Sequence, residues 1–401
     1  MPLSRRTFLG TTAAMALARP PRPGVPHPLW TAPADRFDPW IEVDPAALRH
    51  NVAVLATLAG GRPITAVVKN NAYGLGLTTV APLLDALPEV AGFAVVKTEA
   101  AFALAEIGVQ KPVLLMGLFA DRDGPDLVRR GVHLSLCTPD AGLRIIRAVR
   151  AAGRRAHVHT YLDTGMSRMG IPYHQALPLL VEFSRLEDVI IEGTFMGLTE
   201  DPAFDREQLR RFLALAEEAR SRGVRLGRLH AASSHALFHF PHAHLDMVRP
   251  GIAIYGAYPG EAERERPIAE LRPAFRLRAR VVRVAQLRAG DSVSYGRHYV
   301  ATRPTWIATL PVGHADGYPR GAVQGARVLI GDALFPVIGA VSASHTIVEL
   351  GDRPAVAVGD VATLVGPDHP VIHPDAVGAA SGTSVYDVLM HLNSSLPKDV
   401  R

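Results

Sequence analysis

Cysteine is almost absent from this chain: Cys137 is the only one in 401 residues. No intrachain disulfide can brace the fold, and the composition neither requires nor excludes an oxidising compartment. Lysine is scarce as well, since the 43 basic residues include only Lys69, Lys97, Lys111 and Lys398 as lysines. Arginine can supply positive charge but stays protonated, so any amine chemistry falls to those few positions. The net charge of +5 comes from scattered arginines. No basic stripe interleaved with aromatics is present, which argues against nucleic acid as a partner. The apolar run near the N-terminus is too short for a membrane span. What remains is 48% hydrophobic and 20% charged, enough apolar material for large cores. At this length the chain exceeds one ordinary compact domain, although a (β/α)8 barrel alone takes about 250 residues.

Residues 1–18 read as a targeting segment. Ser4-Arg5-Arg6-Thr7-Phe8-Leu9-Gly10 is similar to a twin-arginine export signal, and Ala16-Leu17-Ala18 offers a small-residue cleavage site. This predicts a periplasmic or otherwise exported protein, and a cytoplasmic one if the segment is only a basic tail. Residues 19–37, rich in proline, form a predicted linker. A strand follows within 38–44 (Trp40 to Val43), then a helix capped near Asp44.

Across 45–271, strand-like and helix-like stretches alternate. Strands are predicted at Ile64–Val68, Gly92–Val96, Val113–Met116, Val132–Leu136, Ala156–Leu162, Val189–Phe195, Arg228–His230 and Leu245–Val248. Helical patterns lie between them at Lys97–Ile107, Asp140–Ala152 and Asp205–Ser221. Eight βα units imply a closed parallel barrel with its site at the strand C-termini, a doubly wound open sheet being the alternative. From 272 to 401 the texture changes to short β-rich runs: Leu277–Leu287, Thr305–Leu310, Ala326–Ile330, Val337–Val341 and Val361–Val365. Their glycine, proline and aspartate turns predict a second, β-rich domain.

One lysine stands at a telling place. Ala66-Val67-Val68-Lys69-Asn70-Asn71-Ala72-Tyr73-Gly74-Leu75-Gly76 puts Lys69 just beyond an apolar strand, where barrel loops converge. Partial burial there would favour the neutral amine, which can condense with an aldehyde such as pyridoxal phosphate (PLP). Spacing alone also allows a strand-end lysine that merely reaches solvent.

Three further motifs occur in order. Asp163-Thr164-Gly165-Met166-Ser167-Arg168-Met169-Gly170 follows the fifth predicted barrel strand, Met247-Val248-Arg249-Pro250-Gly251-Ile252-Ala253-Ile254-Tyr255-Gly256 the eighth, and Val293-Ser294-Tyr295-Gly296 lies in the second domain. Together with the Lys69 stretch they resemble the alanine racemase family over roughly residues 38–390. The resemblance implies a PLP-dependent amino-acid racemase, with Lys69 and Tyr295 working opposite faces of the substrate α-carbon. A tyrosine acts as a base only where cations or hydrogen bonds stabilise its phenolate. It implies Arg168 at the cofactor's phenolic oxygen and the substrate carboxylate, and Arg249 facing the pyridine nitrogen. Tyr73, Ser234, Gly251, Ile252 and Tyr386 would bind the phosphate, and Ala343 would offer an amide to the substrate carboxylate. It also implies a homodimer with Tyr295 reaching into the partner's site, and that the strand near Trp40 joins the second domain.

Departures from the family pattern are Asn70, Leu75, Tyr161 for a lysine, Gly197 for a histidine, Ser233 for an asparagine and His314 for a tyrosine. Ala343-Ser344 stands where Met-Asp is usual, and Ser384 is small where a bulkier residue is common. These predict a pocket wider than strict alanine preference needs. Two alternatives stay open: a barrel-type amino-acid decarboxylase, against which Arg249 argues, and an exported PLP- or amino-acid-binding protein without catalysis. His157, His159, His235, His239, His242 and His244 do not make a metal set; His239, His242 and His244, beside Pro241, are read as loop histidines.

Overall fold

The computed structural model describes residues 36–260, 264 and 267–401. The predicted targeting segment and nearly all of the linker lie outside the described residues.

The first strand, β1 (Trp40–Val43), is buried at every position. Helix α1 (Pro45–Leu58) follows, and the Asp44 carboxylate accepts from the amides of Ala46 and Ala47, closing its first turn. The chain then lays down β2 (Ile64–Val67), β3 (Val90–Val95), β4 (Val113–Leu115), β5 (Leu134–Leu136), β6 (Ala156–Asp163), the two-residue β7 (Ile171–Pro172), β8 (Val189–Phe195) and β9 (Arg228–His230). All pairings among them are parallel: β2–β3–β4 form one sheet and β5–β6–β8–β9 another, with β7 beside β6. β4 and the second half of β3 are apolar without alternation, and β2 is buried throughout with Thr65 its one polar residue, because parallel strands are covered on both faces.

The two sheets join into a ring. His133 donates its amide to Val113 O at 2.8 Å and Leu115 donates to His133 O at 2.9 Å. On the other side, Thr65 N–H reaches Val248 O at 2.8 Å and Val67 N–H reaches Pro250 O at 2.9 Å. A closed barrel results, and the open-sheet alternative falls. The eighth predicted strand, Leu245–Val248, needs correction. Leu245 has φ 51° and Pro250 has no amide to give, so the segment forms a single bridge, Ile64 to Val248, and not a regular strand. It closes the ring all the same.

The remaining strands are β10 (Phe275–Arg280), β11 (Arg283–Leu287), β12 (Ser292–Val293), β13 (Tyr299–Val300), β14 (Thr305–Leu310), β15 (Arg327–Ile330), β16 (Ala333–Ile338), β17 (Thr346–Gly351), β18 (Val361–Val365) and β19 (Lys398–Val400). Nine strands make one sheet in the order β11-β14-β17-β16-β15-β18-β10-β1-β19. The single run predicted over Leu277–Leu287 is two strands. Val281 bonds to Asp360 O and Val282 to Thr309 O, so the chain changes neighbours there. β1 pairs antiparallel with β10 and parallel with β19, so the first described strand is sewn into the last domain. No helix among the described residues is long and apolar enough to cross a membrane.

Candidate active site

Lys69 follows β2 at the C-terminal mouth of the barrel. The next four residues, Asn70, Asn71, Ala72 and Tyr73, all have φ between 52° and 57°. Such a left-handed turn costs roughly 1–2 kcal/mol per residue, less for asparagine. The surroundings hold it: Leu77 N–H binds Asn71 Oδ1 at 2.8 Å and Gly76 N–H binds Asn71 O at 3.0 Å. Helix Val385–Met390 of the β-rich domain presses from behind, where a Cβ on Gly74 would come within 2.2 Å of Leu389 O. Only glycine fits there.

The turn leaves Lys69 half-buried with its Nζ 5.7 Å from the Tyr73 ring centre. Burial, and then the Arg168 guanidinium, hold its pKa below the ordinary lysine value. Both causes favour the neutral amine.

Beneath Lys69 lies a tight cradle. Tyr73 packs on Tyr255 with ring centres 4.9 Å apart, and the Tyr255 hydroxyl donates to Val67 O at 3.3 Å. A Cβ on Gly251 would sit 2.2 Å from the Tyr73 hydroxyl, so this glycine exists to let the phenol in. Ser234 Oγ accepts from Gly251 N–H at 2.9 Å and from Ala253 N–H at 3.4 Å, which leaves its own proton to donate. Burial, and then Tyr386, push the Tyr73 phenol above the ordinary range, so it too remains a donor. Gly251's amide is thus already engaged by Ser234. An anionic group such as a phosphate suits the hydroxyls of Ser234 and Tyr73, which have protons to offer.

Arg249 is buried against the Phe195 ring, 5.1 Å from its centre. It donates to His230 Nδ1 at 2.6 Å and to Met196 O at 2.7 Å. Burial lowers its pKa to about 10, so it is still a cation at neutral pH. Arg168 is exposed at the same mouth. Gly197, on the loop after β8, faces it: a Cβ there would lie 3.1 Å from Met166 Sδ, 3.6 Å from Tyr161 Oη and 3.8 Å from Arg168 Nη2. The Tyr161 ring, stacked 4.3 Å from Phe195, therefore takes up room beside the site where a side chain at 197 would otherwise go.

Tyr295 and Ala343 are elsewhere. They line a cavity of about 530 Å³ with Gly296, His298, His314 and Arg320, and no barrel residue contributes to its wall. Tyr295 is 77% exposed. Its loop carries positive φ at Ser294, Gly296 and Arg297, and Ser294 Oγ donates to Ala340 O at 2.9 Å. The predicted residues thus fall into two groups: Lys69, Tyr73, Arg168, Ser234, Arg249, Gly251, Ile252 and Tyr386 around the barrel mouth, and Tyr295 with Ala343 on the β-rich domain.

Two of the histidines not read as metal ligands lie on the strand predicted over Ala156–Leu162. His157 and His159 lie on β6, inside regular structure, and His159 is 6% exposed. Their x-His-x-His-x-Tyr161 spacing puts all three side chains on one strand face, a period-two signal that the sequence did contain. His133, His230 and Tyr255 are further contacts of the site that sequence reasoning did not single out.

Residues 43–259 match the alanine racemase N-terminal domain and 274–400 the alanine racemase C-terminal domain. The chain belongs to the alanine racemase family. Alanine racemase from Geobacter sp. (strain M21) is 36% identical over 366 residues, covering 87% of this chain and 94% of the relative. Among solved structures, the biosynthetic alanine racemase of Pseudomonas aeruginosa is 30% identical with a TM-score of 0.79, covering 91% and 100%. Alanine racemase from D-cycloserine-producing Streptomyces lavendulae is 28% identical with a TM-score of 0.84, covering 91% and 97%. The family depends on PLP, and the barrel mouth fits that group: a depressed lysine, a buried cation and a hydroxyl cradle converge there.

Proposed function

We propose that the protein interconverts L- and D-alanine by a PLP-dependent two-base mechanism. The observation that carries this reading is Lys69, held partly neutral at the barrel mouth between the Ser234–Tyr73 cradle and the buried Arg249. PLP bound there supplies an electron sink that acidifies the α-hydrogen of an attached amino acid. Lys69 is the residue that would hold the cofactor through its aldehyde group, since its lowered pKa favours the neutral amine. Its freed Nζ takes the α-proton on one face, and the Tyr295 hydroxyl returns a proton on the other; the reverse reaction exchanges these roles. Arg168 pairs with the substrate carboxylate and the cofactor phenolate. Arg249, a cation with only donors, would disfavour protonation of the cofactor's pyridine nitrogen. The sink is weakened, which favours return of the proton over competing chemistry. Tyr73, Ser234, Ile252 and Tyr386 would hold the phosphate, Gly251 would act by fixing the Ser234 hydroxyl with its amide, and Ala343 N–H would hold the carboxylate.

The two groups of residues support a homodimer in which Tyr295 completes the partner's site. Arg320 in the same cavity brings positive charge to the phenol. Export through a twin-arginine route suits an enzyme that must fold around a cofactor first, and remains part of this reading. The test is complementation. Chains carrying Lys69→Ala and Tyr295→Ala, each inactive, should regain alanine racemisation when mixed, because one site in the heterodimer is intact. No recovery after proven subunit exchange, followed in a chiral assay, rejects the shared site.

A further inference from the structure

A column of imidazoles runs along the barrel behind Arg249. His230 Nδ1 lies 2.6 Å from Arg249 Nη1, His230 Nε2 lies 3.0 Å from His159 Nδ1, and His159 Nε2 lies 3.3 Å from His133 Nδ1. His230 is fully buried and His159 nearly so, while His133 lines a cavity of about 350 Å³ with Thr65, Glu192, Arg228 and Met247. The column therefore starts at that cavity and ends at the guanidinium.

Its polarity follows from one fact: a guanidinium has no acceptor. Facing Arg249, His230 Nδ1 must accept, so its proton sits on Nε2. That proton points at His159, whose Nδ1 must accept in turn. His159 then carries its own proton on Nε2 and donates to His133 Nδ1. Each ring is forced into the same tautomer by the ring before it.

The barrel is shaped for this column. β6 and β8 slip register between Val158 and His159, so that His159 sits opposite Gly193. A Cβ on Gly193 would come within 2.6 Å of His159 Nδ1 and 2.8 Å of its Cε1. A strand bulge and a glycine thus make room for the His159 imidazole in the barrel interior.

The charged and titratable groups around the column are His157 on β6, paired with Glu192 on β8 at 2.8 Å, Arg228 on β9, and Arg249 itself. Burial comes first in keeping all three rings neutral. Repulsion then adds, from His157 at His133, from His133 at His159 and from Arg249 at His230.

We propose that His159 and His133 are positioning residues for Arg249: they lock His230 in the Nε2–H tautomer that keeps a lone pair aimed at the guanidinium. Without an acceptor behind it, His230 can place its proton on Nδ1 and present an N–H to the cation. Arg249 would then lose a donor contact and shift. This inference rests on the role proposed for Arg249 above.

The first test needs no activity. Histidine-selective ¹⁵N NMR of the cofactor-loaded enzyme should show three neutral Nε2–H rings that do not titrate between pH 5.5 and 8.5. An Nδ1–H tautomer at His230 or His159, or titration of either in that range, overturns the column. The second test compares His159→Phe, which removes the acceptor, with His159→Gln, which keeps one. The Phe variant should lose about tenfold in kcat, with the KM for alanine within about twofold, and Gln should recover most of it. Equal losses in both variants, or none in either, overturn the positioning role. If the Phe variant does not fold, His133→Phe carries the same comparison against His133→Gln. Arg249→Lys separates the two readings: unchanged turnover there sinks the role of Arg249 while leaving the NMR pattern intact.

Discussion

Lys69 is half-buried at the end of a strand whose residues are all shielded, while Tyr295 leaves 77% of its surface open. Both adjoin backbone with positive φ, Asn70 to Tyr73 after Lys69 and Ser294 and Gly296 around Tyr295, but the support differs. Behind Lys69, Tyr73 and Tyr255 stack and Leu389 closes over Gly74. The segment around Tyr295 rests on a small cluster, Leu287, Val293, Ala301, Ile307 and Ile338, and on one Ser294 hydroxyl bond. Strain can be held wherever packing over-determines it. At the barrel mouth the chain supplies that packing itself. At Tyr295 the loop offers an open face, the face that the proposed partner subunit would cover.

The widest gap between the two regions should appear on removing the bases. Lys69→Ala should cost at least about 10⁴-fold in activity and abolish the borohydride-fixed cofactor adduct on that peptide. Tyr295→Phe should cost about 10²- to 10³-fold and leave the adduct untouched. An adduct recovered from Lys97, Lys111 or Lys398 instead would break the comparison at its root.

Gly251→Ala probes the cradle. Its new Cβ would drive the Tyr73 hydroxyl away, and cofactor affinity should fall about 10- to 100-fold, or roughly 1.4–2.8 kcal/mol, in equilibrium dialysis. Retention at the original affinity would mean that the phenol does not touch the phosphate.

Acid sensitivity should concentrate in the barrel. Burial first, with neighbouring charges, lowers His133 to about 4 and His159 to about 3, from an ordinary 6.5. Above pH 6.5 both rings are neutral, folded or unfolded, and stability is complete. Below it the unfolded chain takes up protons that the folded barrel refuses, so stability falls as pH falls from 6.5 towards 4. The slope should reach about 1.4 kcal/mol per pH unit for each histidine, and His159→Gln should flatten it in urea titrations. A slope unchanged by that substitution would place the acid response elsewhere.

The smallest effect concerns selectivity on the exposed side. Ala343 and Ser344 leave a low wall, and rejecting one methylene is worth only about 1–3 kcal/mol. Serine or a longer amino acid should therefore be turned over alongside alanine. A preference for alanine above about a thousandfold in kcat/KM would show the wall to be higher than these side chains suggest.

The barrel strands were legible because apolar runs of strand length alternate with amphipathic helices. β17 was not, although Thr346–Gly351 alternates cleanly in burial, because short β runs between turns resemble one another. Pro336 hid the start of β16, since proline reads as a breaker; here it stands at one end of the β15 pairing, opposite Arg327. The Lys69 motif was visible, but its left-handed turn was not: nothing in Ala72 or Tyr73 announces positive φ, which only the packing from Leu389 and Tyr255 imposes. Of the imidazole column the period-two pattern marked only His159, because its partners His133 and His230 come from segments far apart in sequence.

The placement of β1 has a bearing on timing. Ile41 cannot meet Lys398 until nearly all the chain has been synthesised, so the first strand to emerge waits for the last. Until then β1 can pair with β10 but has an empty edge on the side of β19, and closure over such a separation is slow. The seam therefore works as a late check: a chain cut short of β19 leaves β1 as the edge strand of the sheet.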